Sequence, residues 1–217
     1  MRLYASDVLV LARKDLILEL RTRETVPAML LFVVSTLVVF HFSVPGNVSP
    51  DVERMVAFGL LWIAIIFTAL LGLARVFAAE RERRLLDALV MAPCDRSAIW
   101  LGKTLALTGF LVLAEVIAVP AFALFFEPVD GVTIAAILLA NLGIAAVGTL
   151  LAAISAVSRT RELLLPLLFL PLAIPIVVGG VGASIADDNG RFLGFLLLYD
   201  AVFGIISWAT FEYVVTE

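Results

Sequence analysis

The chain has 217 residues, of which 63% are apolar and 16% are charged, and its formal net charge is −4. Soluble domains average roughly 45–50% apolar and about 25% charged residues, so this composition excludes a water-soluble globular domain and predicts an integral membrane protein. One Cys and one His exclude an intrachain disulfide and a Cys/His zinc site.

Residues 1–25 carry charges throughout and lack the apolar core of a cleavable signal peptide. Leu9, Ala12, Leu16 and Leu20 recur at helical spacing, with Lys and Arg at polar positions between them. The pattern predicts an amphipathic helix in the membrane interface, with its apolar stripe in lipid and its cations near anionic headgroups. The alternative is that these residues form a polar leader without stable structure.

Long apolar stretches predict an all-α membrane protein with six spanning helices of roughly 20 residues each, arranged as one transmembrane domain over residues 1–217. Span five contains three prolines followed by three glycines, which predict a helix that is bent or broken near its outer end. The predicted spans are 26–44, 55–79, 104–126, 132–157, 162–185 and 192–215.

The Lys and Arg residues are distributed unequally between the two sides of these spans. Of the 15 basic residues, all but Arg54 and Arg191 lie in the N-terminal segment and in the second and fourth connections. The positive-inside rule therefore predicts that both termini are cytoplasmic, which agrees with an even number of spans.

Residues 80–103 form the one long cytoplasmic connection, ERERRLLDALVMAPCDRSAIWLGK. Leu85, Leu86, Leu89 and Val90 form an apolar stripe on a predicted short helix, which Pro93 ends. So short an amphipathic helix is not stable alone in water. It needs the membrane surface or a groove on a cytoplasmic protein to bury its stripe.

Neither ATP hydrolysis nor another catalytic activity is predicted for this chain. The Gly102-Lys103 pair has Ser97 where a phosphate-binding loop needs its first glycine, so ATP hydrolysis must occur on a partner chain. An intramembrane protease needs a Ser–His pair, paired aspartates or a cluster of histidines, and the sole His41 and Asp200 do not supply one. We assign no catalytic residue and no metal site.

The segment from Glu80 to Lys103 resembles the coupling-helix region of ABC-2-type (type V) permeases, with its acidic residues, leucine pair, Pro-x-Asp-Arg turn and Gly-Lys pair. The resemblance implies that this coupling loop seats in a groove of a separate ATP-binding subunit and transmits its closure to the spans. It implies an ATPase-coupling role for Glu80, Glu82, Leu85, Leu86, Leu89, Pro93, Asp95 and Arg96.

Motifs along almost the whole chain resemble the heme exporter protein B (CcmB) family. They are R-K-D-L-x-x-E-x-R-x-R-E at 13–24, G-x-x-W followed by L-x-R-x-F-x-x-E within 59–80, R-E-L-L-L-P-L-L continuing to P-x-x-I-P within 161–175, and F-E-Y-V at 211–214. The family resemblance implies a fold of the ABC-2 permease type.

That resemblance also implies a function and partners. It implies the non-catalytic membrane subunit of an ABC complex for cytochrome c maturation in the bacterial inner membrane, with haem as client and ATP on the partner subunit. The implied partners are an ATPase (maturation protein A), the haem-handling protein C, the small protein D and the haem chaperone E, and two ATP sites predict two copies of this chain. The alternative is an ABC-2 exporter of a lipid, a polysaccharide or a drug.

Three side chains within or beside the spans have two interpretations each. Glu115, at the centre of span three, would cost roughly 2.5–3.5 kcal/mol as a free ion, so it should face protein and be protonated or paired. Its role is either functional, as a transmission element between spans or a polar lining, or structural, as an interhelix hydrogen bond. Asp200 poses the same question. His41, near the outer end of span one, is either an axial haem ligand or a wetted interfacial side chain.

Overall fold

The computed structural model describes residues 2–22, 25–43, 48–78, 80, 91, 94–158 and 161–216. These residues confirm the predicted all-α class, because they form seven helices and no strand. The helices are α1 (Arg2–Thr22), α2 (Thr25–Ser43), α3 (Pro50–Leu73), α4 (Arg96–Phe125), α5 (Gly131–Val157), α6 (Arg161–Ile185) and α7 (Asn189–Thr216).

Helices α2 to α7 are the six helices, within the described part of the chain, that are long and apolar enough to cross a membrane. They correspond one to one with the predicted spans, although α3 and α4 differ from their predicted bounds by five residues or more. Helix α4 begins well before the predicted residue 104, because the Asp95 side chain caps it by accepting a hydrogen bond from the Ser97 N–H. Helix α3 begins at Pro50, which suits the first turn of a helix, and gives way to a turn after Leu73.

Helix α5 is central to the bundle and packs against α4, α6 and α7. Two of its glycines allow the close approach that membrane helices use in place of a hydrophobic driving force. Gly143 lies against Tyr199 and Asp200 of α7, and Gly148 lies against Leu73 at the end of α3. These two glycines therefore let α7 and the end of α3 approach α5 closely.

Helix α6 runs without a break from Arg161 to Ile185, although it contains three prolines. The sequence predicted a bend or a break, and the break is not observed. Neighbouring helices supply polar contacts along it: Tyr199 Oη donates to the Leu172 carbonyl at 2.9 Å, and Trp62 Nε1 donates to Ser184 Oγ at 3.1 Å. These two contacts attach α6 to α7 and to α3.

The bundle has two ends, which we name by their residues. The basal face comprises α1 from Tyr4 to Asp15, residues 74–78, 80 and 94–103, and Glu212 near the end of α7. The opposite face carries the ends of α2, α4 and α6 and the starts of α3, α5 and α7. On the opposite face Arg54 Nε lies 3.2 Å from Glu127 Oε1, joining the start of α3 to the end of α4.

Helix α1 packs along the first half of α4. Successive contacts advance in the same direction on both helices, from Tyr4 Oη with Ser97 Oγ at 3.0 Å to Leu16 beside Gly109. The prediction that the whole apolar stripe lies in lipid is therefore wrong for Ala12 and Leu16. These two pack against α4 where Gly102 and Gly109 leave room, whereas Leu9 and Leu20 remain exposed.

Candidate coupling site at the basal face

The structure describes three of the eight residues predicted to couple to an ATPase. Glu80, Asp95 and Arg96 lie on the basal face, at the two ends of the coupling loop. The other five lie outside the described residues: Glu82, Leu85, Leu86, Leu89 and Pro93. The described part of the site therefore consists of the two ends of the coupling loop.

Glu80 belongs to a partly buried group of four charged side chains, which we call the basal charge cluster: Lys14, Asp15, Glu80 and Lys103. The Glu80 side chain is 6% exposed, and its two oxygens lie 2.6 Å from Lys14 Nζ and 3.1 Å from Lys103 Nζ. The two lysines also contact Asp15, at 3.0 Å and 3.1 Å respectively. Glu80 is thus held within the chain by two cations.

Lys103 is the most enclosed member of the cluster, with a side chain only 2% exposed. Its ammonium group donates to Glu80, to Asp15 and to the Val76 carbonyl, the last at 2.8 Å. Three acceptors match the three N–H groups of an ammonium ion. The ammonium also lies 4.5 Å from the centre of the Phe77 ring, a favourable cation–π distance.

The pKa shifts in the cluster agree with this pairing. Burial by itself favours the neutral acid of Glu80, but Lys103 and Lys14 outweigh it and lower the pKa of this carboxyl below its ordinary value. Burial likewise disfavours the cation of Lys14, but Asp15 and Glu80 outweigh it and raise the pKa of the ammonium group. Glu80 and Lys14 are therefore both charged near neutral pH.

The other end of the coupling loop is also attached to its surroundings. Asp95 caps α4, with its carboxylate 2.9 Å from the Ser97 N–H and 2.7 Å from Ser97 Oγ. Arg96 Nη1 lies 3.0 Å from Glu212 Oε1 in an exposed ion pair with the end of α7. Because Tyr4 of α1 reaches the same Ser97, three helices meet where the loop re-enters the bundle.

Sequence reasoning placed Lys14 near lipid headgroups, whereas it pairs with Asp15 and Glu80, and it assigned no role to Asp15 or Lys103. One signal was available: Lys103 directly precedes the apolar stretch of span three. A lysine at the edge of a membrane span is costly to bury unless it has an anionic partner. The anionic partners of Lys103 are Asp15 of α1 and Glu80 after span two, and neither is near Lys103 in sequence.

The two carboxylates predicted within the spans lie against opposite flanks of α5. Asn141 Nδ2 donates to Glu115 Oε2 at 2.6 Å. This is an interhelix hydrogen bond, one of the two roles that the sequence predicted for Glu115. Asp200 packs against Gly143, and its oxygens have no hydrogen-bond partner among the described residues. The structure does not bring these two groups together with the basal charge cluster, and a transmission role for either stays a prediction.

His41 lies on the opposite face, far along α2 from the basal charge cluster. Its exposed ring is surrounded by Phe42, Phe125 and Phe126, at centroid distances of 5.3 to 5.5 Å. It is the only histidine in the chain, so any axial partner across a haem would have to come from another molecule. The haem-ligand role stays a prediction.

Six apolar spans, one of them a central helix with small residues at its contacts, define a multi-pass α-helical membrane protein. The family model for CcmB protein matches residues 6–210, nearly the whole chain. The chain belongs to the CcmB protein family.

Curated relatives agree with this assignment. Heme exporter protein B of Rhodobacter capsulatus is 34% identical over 142 residues, which cover 63% of this chain and 65% of that protein. Heme exporter protein B of Pseudomonas aeruginosa is 29% identical over 185 residues, covering 84% and 82% respectively. The protein of the same name from Paracoccus denitrificans is 32% identical over 145 residues, covering 64% and 66%.

Proposed function

We propose that this chain is the non-catalytic membrane subunit of an ABC transporter complex for haem export in cytochrome c maturation. Membership of the CcmB family supports this, because the relatives above are each named heme exporter protein B. The structural observation that carries the proposal is the 3.1 Å pair between Glu80 and Lys103, which closes the coupling loop at its base. A loop closed in this way passes a displacement of its tip to α3 and α4.

The remaining parts of the complex follow from this proposal. ATP is hydrolysed on a separate subunit, maturation protein A, and the further partners are proteins C and D and the haem chaperone E. Two copies of this chain face two ATP sites in the bacterial inner membrane, with the basal face in the cytoplasm. Haem is a client rather than a resident cofactor, and His41 is a candidate contact for it on the opposite face.

The proposed mechanism divides the coupling residues into two groups. The leucines at 85, 86 and 89 seat the loop helix in an apolar groove of the ATPase, as amphipathic helices generally do. Glu80, Asp95 and Arg96 anchor the loop to the bundle, through the basal charge cluster, the cap of α4 and the end of α7. Variants of Glu80 therefore test the anchor, whereas leucine variants test docking.

Replacing Leu86 and Leu89 together by aspartate is expected to abolish docking without unfolding the spans, because an apolar groove cannot solvate two carboxylates. In a strain lacking the chromosomal gene, this double variant should not co-purify with the ATPase subunit. Holo c-type cytochromes, measured by haem staining, should remain at the level of the deletion strain. The thermal unfolding midpoint of the purified variant in detergent should match that of the original chain.

The matched control is Val52→Asp, an apolar-to-acidic change at an exposed site on the opposite face, which should restore cytochromes fully. If the leucine variant still co-purifies with the ATPase subunit and supports full cytochrome assembly, the loop is not the docking element. Normal c-type cytochromes in the deletion strain itself would instead favour the ABC-2 exporter of a lipid, polysaccharide or drug.

The single cysteine provides a native probe of the proposed orientation. Cys94 lies on the basal face and is partly exposed, so a membrane-impermeant maleimide should label it in inverted membrane vesicles and not in intact cells. Labelling should accelerate as pH rises above neutral, because burial and the carboxylates of Asp7 and Asp95 raise the pKa of the thiol and the thiolate is the reactive form.

The labelling experiment uses the chain expressed without its ATPase, so that nothing covers the loop. A variant combining Cys94→Ser with Val52→Cys should show the reverse pattern, with labelling from outside intact cells. Labelling of Cys94 in intact cells would place the basal face outside the cytoplasm and would contradict the proposed orientation.

A further inference from the structure

We propose that helix α1 is a moving part of the coupling device rather than only a membrane-surface anchor. In this proposal Lys14, Asp15, Glu80 and Lys103 are positioning residues that hold both ends of the coupling loop against α1. The inference rests on the proposed function and adds a transmission element to it.

The entry of the coupling loop is attached to α1 by Lys14. The Lys14 ammonium contacts Glu80 at 2.6 Å, the shortest pair in the basal charge cluster. Glu80 follows the turn that ends α3, so this contact fixes α1 to the end of span two. A charge-assisted hydrogen bond of this length is among the stronger polar contacts in proteins.

The exit of the coupling loop is attached to α1 by two kinds of contact. Asp15 Oδ2 lies 3.1 Å from Lys103 Nζ. One residue earlier, Gly102 lies so close to α1 that an added Cβ would be 2.8 Å from Leu11 Cβ and 3.2 Å from the Val8 carbonyl oxygen. Charge pairing and backbone-to-backbone packing therefore hold α1 to the start of α4.

These contacts restrict how the parts can move relative to one another. Separating α1 from α4 would break the Lys14–Glu80 and Lys103–Asp15 pairs and leave one N–H of the buried Lys103 ammonium without an acceptor. Sliding α4 along α1 would also bring side chains into the space that Gly102 leaves open. A partner that displaces the coupling loop therefore moves α1 together with α4.

The variant Lys14→Met tests this linkage, because it removes the contact from α1 to Glu80 and leaves Lys103 paired with Glu80. The Lys14 side chain is 37% exposed, so a methionine can be accommodated there. In the complemented deletion strain we expect cytochrome formation to fall about fivefold or more, the lower end of measured coupling between sites. ATPase co-purification and the thermal midpoint should stay at the original level, and Lys14→Arg should restore cytochromes.

Arg13→Met is the matched control, because it removes a neighbouring exposed cation from the same helix and should change nothing. Full cytochrome formation in Lys14→Met would overturn the inference. Loss in both variants alike would also overturn it, because the effect would then come from surface charge.

Hydrogen–deuterium exchange of α1 separates failure of this inference from failure of the proposed function. If the original chain retains no ATPase subunit, the proposed function fails, but exchange still reports whether the cluster holds α1. Faster exchange across residues 4–15 in Lys14→Met than in Arg13→Met would support the attachment. Equal exchange in the two variants would overturn it.

Discussion

Replacing Gly180 by leucine is expected to destabilise the folded chain strongly. Gly180 of α6 lies against the ring of Trp62, and any side chain there would overlap the indole. Trp62 has no exposed surface and donates a hydrogen bond to Ser184, so it cannot turn aside without leaving its N–H unpaired in the core. Overpacking typically costs about 1–3 kcal/mol. We expect about 3 kcal/mol or more here, because the ring is also held by its hydrogen bond.

The measurement is the yield of monodisperse protein in detergent and its thermal unfolding midpoint. Gly194→Leu is the matched control, because Gly194 is an exposed residue of α7 with open space where a side chain would be added. It should be recovered at the original yield. A monodisperse Gly180→Leu protein with an unchanged midpoint would contradict the packing of α3 against α6.

Replacing Lys103 by methionine is expected to lower the free energy of unfolding by about 3–5 kcal/mol, the usual cost of removing one partner from a buried ion pair. The change leaves the carboxylates of Glu80 and Asp15 with Lys14 as their one remaining partner in the cluster. Thermal or denaturant unfolding of the purified subunit in detergent measures the loss. Arg191→Met, at an exposed site on the opposite face, should change stability by less than about 0.5 kcal/mol.

A second substitution distinguishes an ion-pair effect from a packing effect. Replacing both Glu80 and Lys103 by methionine should recover much of the lost stability, because an apolar pair of similar volume avoids the buried, unpaired charge. If the double variant is as unstable as the two single losses added together, the two side chains do not interact in the way that the structure shows.

The same cluster predicts how stability changes with pH. The folded pKa of Glu80 is lowered, so its stabilising contribution is present above its unfolded pKa near 4.5 and is lost as the pH falls. The folded pKa of Lys14 is raised, so its contribution is complete below the unfolded value of 10.5 and is lost as the pH rises through the folded pKa. Moving from about pH 7 to about pH 4 should therefore destabilise the original chain more than Lys103→Met.

Much of the fold could be predicted because each membrane span is specified locally. About 20 consecutive apolar residues must cross the hydrocarbon whatever their neighbours do, so all six spans were predicted. The boundaries at 50 and 96 were missed, since helices extend past the lipid wherever a cap or a proline allows it. The sequence also did not predict that the α1 stripe is divided between protein and lipid. That division depends on α1 packing against the glycines of α4, which only the structure shows.

The candidate site was only partly predictable. The position of Glu80 beside a coupling loop follows from the family resemblance, but its burial between two lysines does not. Those lysines lie 66 and 23 residues away in the chain. Likewise Glu115 was expected to need a partner, and only the packing of α4 on α5 shows that Asn141 provides it.

The amino-acid sequence by itself determined that this is a six-span membrane protein with one long loop between spans two and three, because hydropathy and charge act over short stretches. Only the tertiary structure decided that this loop is closed at its base and attached to the N-terminal helix. Charge pairs and glycine contacts between distant segments form when helices pack, and the local sequence does not specify which segments will meet.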